Sequence, residues 1–128
     1  LITSILFSIM HLGNNGVNIF AALNIFLIAV LLSLFVMKDS SLWGACGLHS
    51  AWNWTLGNVF GLSVSGTKDK VSLINLNTTG NELINGGEFG VEGSIILSLL
   101  LISLISVISV YLIRKRNIIE SKETAFNN

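Results

Sequence analysis

The chain contains two histidines, His11 and His49, and both lie in apolar sequence. Asn53 follows His49 by four positions, so on a helix the imidazole and the amide share one face, a turn apart. Such a pair can hold a water, bind a metal, or donate hydrogen bonds to an oxygen that gains charge during a reaction. It can equally do no more than bridge helices by hydrogen bonding, and both readings stand at this point. His11 follows Phe7 at the same four-residue spacing. A zinc-type site needs three or more ligands, and His11, His49 and Asn53 supply two good ones and a poor one. A divalent metal such as zinc, on His11 and His49, is therefore the candidate cofactor. No HExxH occurs, and no carboxylate lies in the interior of an apolar span, Glu92 standing at the edge of the last one. Asp39, Glu82, Glu88 and Glu92 fall in connections and read as solvated loop charges. A hydrolase that uses water needs a general base, or a metal to acidify that water, and these residues supply no such base. Ser50 and Cys46 have no carboxylate–histidine relay in view, and Cys46 reads as a small buried hydrophobe.

The elements that would position these residues are membrane helices. Of the 128 residues 52% are hydrophobic and 11% charged. A soluble domain usually carries about 25% charged residues. The mean hydropathy is +0.75, and one core of this size could not enclose so much apolar surface. The net charge is zero, which gives no sign of a nucleic-acid partner. Crossing a bilayer takes about 20 apolar residues. Residues 19–37, 42–62 and 91–113 meet that length, and residues 1–11 read as the end of a further helix. The sequence thus predicts an all-α, polytopic transmembrane helical bundle with three full spans plus the end of a fourth. The second span combines small residues (Gly44, Ala45, Gly47, Ser50, Ala51) with polar ones (His49, Asn53, Thr55, Asn58). Small residues let helices approach closely, and polar ones are expected to face the protein interior. Trp43 fits an interfacial anchor, whereas Trp52 and Trp54 are expected to pack.

Arg114, Lys115 and Arg116 directly follow the last span, so the positive-inside rule places the C-terminus in the cytoplasm. Counting back puts residues 63–90 outside and residues 38–41 inside. The chain divides into a membrane domain, 1–113, and a charged cytoplasmic tail, 114–128. It opens on Leu1 within an apolar run, which reads as a cut from a longer protein.

The order Phe-x-x-x-His, an apolar helix, then His-x-x-x-Asn resembles the CPBP family, which holds the type II CAAX prenyl proteases and the bacteriocin-processing or Abi proteins. Phe7 and His11 match one family motif; His49 and Asn53, after the small-residue approach from Ser41 to Leu48, match another. Gly87, Glu88, Phe89, Gly90, Val91, Glu92 and Gly93, ahead of the last apolar span, are similar to the family's C-terminal ending. The resemblance implies an intramembrane endopeptidase in which a glutamate activates water. His11 and His49 would act on that water and the transition state, and Asn53 on the oxyanion. That glutamate belongs to a Glu-Glu-x-x-x-Arg motif on an earlier helix, absent from this sequence, so the fragment by itself is expected to be inactive. The implied partners are a peptide or protein substrate, prenylated or a bacteriocin leader, and the lipid bilayer of a bacterial cell membrane. Two other classes remain open: a non-enzymatic immunity or scaffold protein that keeps the fold, and a transporter fragment.

Overall fold

In a computed structural model, which describes residues 1–68 and 71–126, every regular element is helical; among the described residues Val64 and Thr67 form only an isolated bridge. The first helix, α1, spans Ile2–His11 and is followed by a short turn to α2, Ile19–Asp39. The Asn18 side chain starts α2 by accepting from the Ala21 N–H at 2.8 Å. Ser40, in a left-handed conformation, ends it. Helix α3, Leu42–Trp54, begins with Ser41 accepting from the Trp43 N–H at 3.3 Å. It widens into a π-helical segment, Thr55–Val59. After a long connection come the short α4, Glu82–Asn85, two 3₁₀ turns at Gly87–Phe89 and Val91–Gly93, and α5, Ile95–Phe126.

Among the described residues two helices, α2 and α5, are long and apolar enough to cross a membrane. The first predicted span survives almost unchanged as α2. The second does not form one long apolar helix. Its α-helical part stops after 13 residues, and its π segment and Gly61, at φ 67°, turn the chain out. The polar groups that mark it as a functional segment also lower its hydropathy. The third begins four residues later than expected, because Ser94 caps α5 with its hydroxyl accepting from the Leu97 N–H at 3.2 Å. Nor does α5 stop at residue 113. It continues through the expected tail to Phe126, where Arg116 and Glu120 pair across one turn at 2.7 Å. Within the expected loop 63–90 and tail 114–128, residues 69, 70, 127 and 128 lie outside the described residues.

Contacts climb α2 and α5 together. Asn18 bonds the Gly93 carbonyl, Asn24 reaches Ser94 and Ser98, and Ile28 and Leu31 share a hollow with Leu97, Leu101 and Leu104. The two helices are therefore parallel. Helix α3 returns along α2 in the opposite sense, with Leu42 and Ala45 near the far end of α2 and Trp52 near the start of α5. Ala21, Ile25, Ile28 and Leu31 form the buried stripe of α2, facing Leu97, Leu101 and the fully enclosed Phe89.

In lipid the apolar surroundings give little drive to helix association, so packing and interhelical hydrogen bonds decide it. One polar hub supplies them. Asn24, fully buried, donates to the Glu92 and Ser94 carbonyls at 2.8 Å each and accepts from the Ser98 hydroxyl at 2.7 Å. The turn feeding this hub depends on Gly86. Its φ is 85°, and a Cβ there would run into the Gly90 carbonyl.

Candidate active site

Three elements meet around Phe7. The Ser8 hydroxyl ties α1 to α2 by donating to the Ala22 carbonyl at 3.0 Å, and Phe7 packs against the core. The Phe7 ring contacts both imidazoles. Its centroid is 4.6 Å from that of His11 and 5.8 Å from that of His49, which it meets edge-on at 78°. The structure thus gathers both predicted histidines around one aromatic ring. Each is half-buried.

The hydrogen bonds set what each ring can offer. The Phe7 carbonyl accepts from His11 Nδ1 at 2.7 Å, which leaves Nε2 of the neutral ring as an open acceptor. His49 and Asn53 meet across one helical turn, Nε2 to Nδ2 at 3.4 Å. With the amide donating, His49 carries its proton on Nδ1. That Nδ1 and the Asn53 carbonyl oxygen are both buried, and no protein group answers either. A buried polar group left without a partner costs about 1–3 kcal/mol. A donor and an acceptor left open together, one turn apart, suit a ligand that both accepts and donates, as water and a peptide amide do.

An apolar cavity of about 190 Å³ borders His49 of this pair, with His49 and Trp52 on one side and Leu97, Leu100, Leu101 and Leu104 of α5 on the other. A larger hollow of about 700 Å³ runs along the far half of α5, from Ser106 to Ile119, and contains no imidazole or carboxylate. It is a groove along one helix, remote from the histidines.

Among the described residues no three His, Cys, Asp or Glu side chains converge. His11 and His49 are two imidazoles and fall one ligand short of a zinc-type site, so these residues alone do not fit a metal. The chemistry derived for them is hydrogen bonding and proton exchange.

Two expectations about side-chain surroundings are overturned. Cys46 is exposed on α3. Glu92 is not a solvated loop charge, because it is 1% exposed and bonded to Trp52 on α3 and to Ser65. Its neighbours Gly90 and Gly93 made it read as loop, and the donors that enclose it lie 40 and 27 residues away in sequence. The other carboxylates near the site, Asp39, Glu82 and Glu88, are exposed.

No curated protein and no solved structure matches the chain. Residues 1–55 match the model of a protease family, described as type II CAAX prenyl endopeptidase Rce1-like. The match takes in Phe7, His11, His49 and Asn53, and it is to the family that these motifs resemble.

Proposed function

We propose that the chain forms part of the active-site end of an intramembrane endopeptidase of the type II CAAX kind. The observation that carries this reading is the His49 and Asn53 pair, with a buried donor and a buried acceptor both unanswered and His49 itself lining an apolar cavity. In this reading the pair receives the scissile amide and the attacking water. The amide N–H of Asn53 and the imidazole of His49 then stabilise the oxyanion as the carbonyl becomes tetrahedral. His11 orients the water through its free Nε2. The apolar cavity takes a greasy part of the substrate, which suits a prenylated peptide; a bacteriocin leader is the alternative substrate in a bacterial membrane. Helices α1 and α3 lie at membrane depth alongside α2 and α5, completing the bundle that the sequence predicts, with the C-terminal end of α5 in the cytoplasm.

The water-activating glutamate is not supplied by the residues described. Glu92, among the described residues the one enclosed carboxylate, has a donor on each oxygen. This observation favours a base carried by another helix, or else the second reading, a membrane immunity or scaffold protein that retains the fold without cleaving peptide bonds.

The test is cleavage of a farnesylated CAAX peptide and of a leader peptide by the complete gene product in liposomes. Removal of one oxyanion donor typically lowers turnover by about 10²–10³. His49→Ala and Asn53→Ala are each expected to lose at least about 10² in kcat while still inserting in the membrane. Cleavage at the unsubstituted rate by His49→Ala would overturn the assignment.

A further inference from the structure

Among the described residues Glu92 is the one charged side chain that is almost wholly enclosed. Oε1 accepts from the Trp52 indole N–H at 2.9 Å, and Oε2 accepts from both the backbone N–H and the hydroxyl of Ser65 at 2.7 Å. All three neighbours are donors, so the side chain acts purely as an acceptor. Oε2 has both lone pairs engaged, and Oε1 has one engaged by the indole, in a side chain that is 1% exposed. Hydrogen bonds onto a carboxylate are roughly twice as strong as those between neutral groups, which suits a fastening role.

What Glu92 fastens is α3. Trp52 lies three residues after His49 and one before Asn53, and it lines the same apolar cavity as His49. A helix advances by a fixed rotation per residue, so holding one side chain in place fixes the direction in which its neighbours point. The other end of the fastening is equally constrained. Ser65 takes a left-handed conformation at φ 47°, uncommon for a residue with a Cβ, and its carbonyl accepts from Asn14 Nδ2 at 2.8 Å. Backbone of this kind persists only where its surroundings over-determine it. Here Glu92 and Asn14 do so from opposite sides, and Asn14 sits three residues after His11. One carboxylate therefore links the helix that carries His49 and Asn53 to the turn that follows His11.

We propose that Glu92 is a positioning residue for the His49 and Asn53 pair: by gripping the Trp52 indole from the start of α5, it fixes the rotation of α3 and so the direction in which the imidazole and the amide face. This rests on the peptidase reading of the same site.

The experiment compares E92Q, W52F and the double variant of the complete gene product in liposomes. Displacements of about 1 Å in a site can lower turnover by about 10². Each single variant is expected to lower kcat by at least about tenfold with KM within about twofold. The double is expected to be no slower than the worse single, because a glutamine oxygen held by the two Ser65 donors turns its NH₂ toward the indole N–H, so both variants lose the same bond. Multiplying effects, an unchanged kcat, or a raised KM at full kcat would overturn the proposal. A second readout needs no activity. With ¹⁵N-histidine label, E92Q is expected to move the His49 ring signals, assigned through His49→Gln. Unmoved His49 signals would overturn the proposal. If E92Q does not accumulate, W52F carries both arms with the same expected results. An unsubstituted protein that cleaves no peptide would overturn the peptidase reading alone, and the His49 signals would still decide the clamp.

Discussion

Replacing Asn24 by alanine tests the hub that joins α2 to α5. The side chain is fully buried and makes three interhelical hydrogen bonds of 2.7 to 2.8 Å. After Asn24→Ala the groups it served fare differently. The Ser98 hydroxyl and the Ser94 carbonyl still have one another at 3.4 Å. The Glu92 carbonyl has no other donor. In membrane proteins an interhelical hydrogen bond averages about 0.6 kcal/mol, so three give about 2 kcal/mol. One carbonyl orphaned in apolar surroundings costs about 1–3 kcal/mol by itself. The two estimates overlap, and the expected loss is about 2–3 kcal/mol, a shift of about thirtyfold to 150-fold in the unfolding equilibrium. Reversible unfolding in mixed micelles measures it, with Ser33→Ala as control. Ser33 bonds only the Ala29 carbonyl of its own turn, at 2.8 Å, and its loss is expected to stay below about 0.5 kcal/mol. If Asn24→Ala unfolds as Ser33→Ala does, the polar hub does not hold the helices together. The apolar stripe of Ala21, Ile25, Leu97 and Leu101 would then be sufficient.

Gly86→Ala is expected to destabilise by about 2 kcal/mol or more, since it combines a left-handed backbone with a collision against the Gly90 carbonyl. Gly80→Ala, also at positive φ but in open space, is the matched control for the backbone contribution alone, and thermal unfolding in detergent separates the two. Replacing Arg114, Lys115 and Arg116 by glutamate is expected to weaken the placement of the C-terminal end in the cytoplasm. Labelling of a single cysteine introduced beyond Lys122, in a Cys46→Ser background, reads it. Labelling only from the cytoplasmic side in both versions would show that these charges do not set the orientation.

How far the sequence could be read varies along the chain for physical reasons. Helix α2 was legible because an uninterrupted apolar run follows a side chain, Asn18, that caps it. The His49 and Asn53 pair was legible because helical spacing alone brings them together, and Phe7 and His11 for the same reason. The π segment at Thr55–Val59 was not, because its carbonyls are satisfied at a distance: the N–H groups of Leu73 and Ile74 donate to the Asn58 and Val59 carbonyls at 2.9 and 2.8 Å. The far end of α5 was misread because a switch from apolar to charged residues marks the edge of a membrane, not the end of a helix. Glu92 was misread because burial of a charge is decided by donors far away in sequence. Trp52 was expected to pack, and its indole body does line a cavity, but its N–H had no visible partner until the fold supplied one.

The hub at Asn24 also bears on how the protein is made. Its acceptors and donor lie 68 to 74 residues further along the chain. At a synthesis rate of about 5–20 residues per second, roughly 4 to 15 s separate the emergence of Asn24 from that of Ser98. During that interval α2 carries a bare amide with none of its final partners yet synthesised. The apolar residues around it are enough to carry the nascent helix into the hydrocarbon, so the amide enters unanswered and finds its partners only when the turn before α5 arrives. Final docking of this helix is therefore timed by the C-terminal half of the chain.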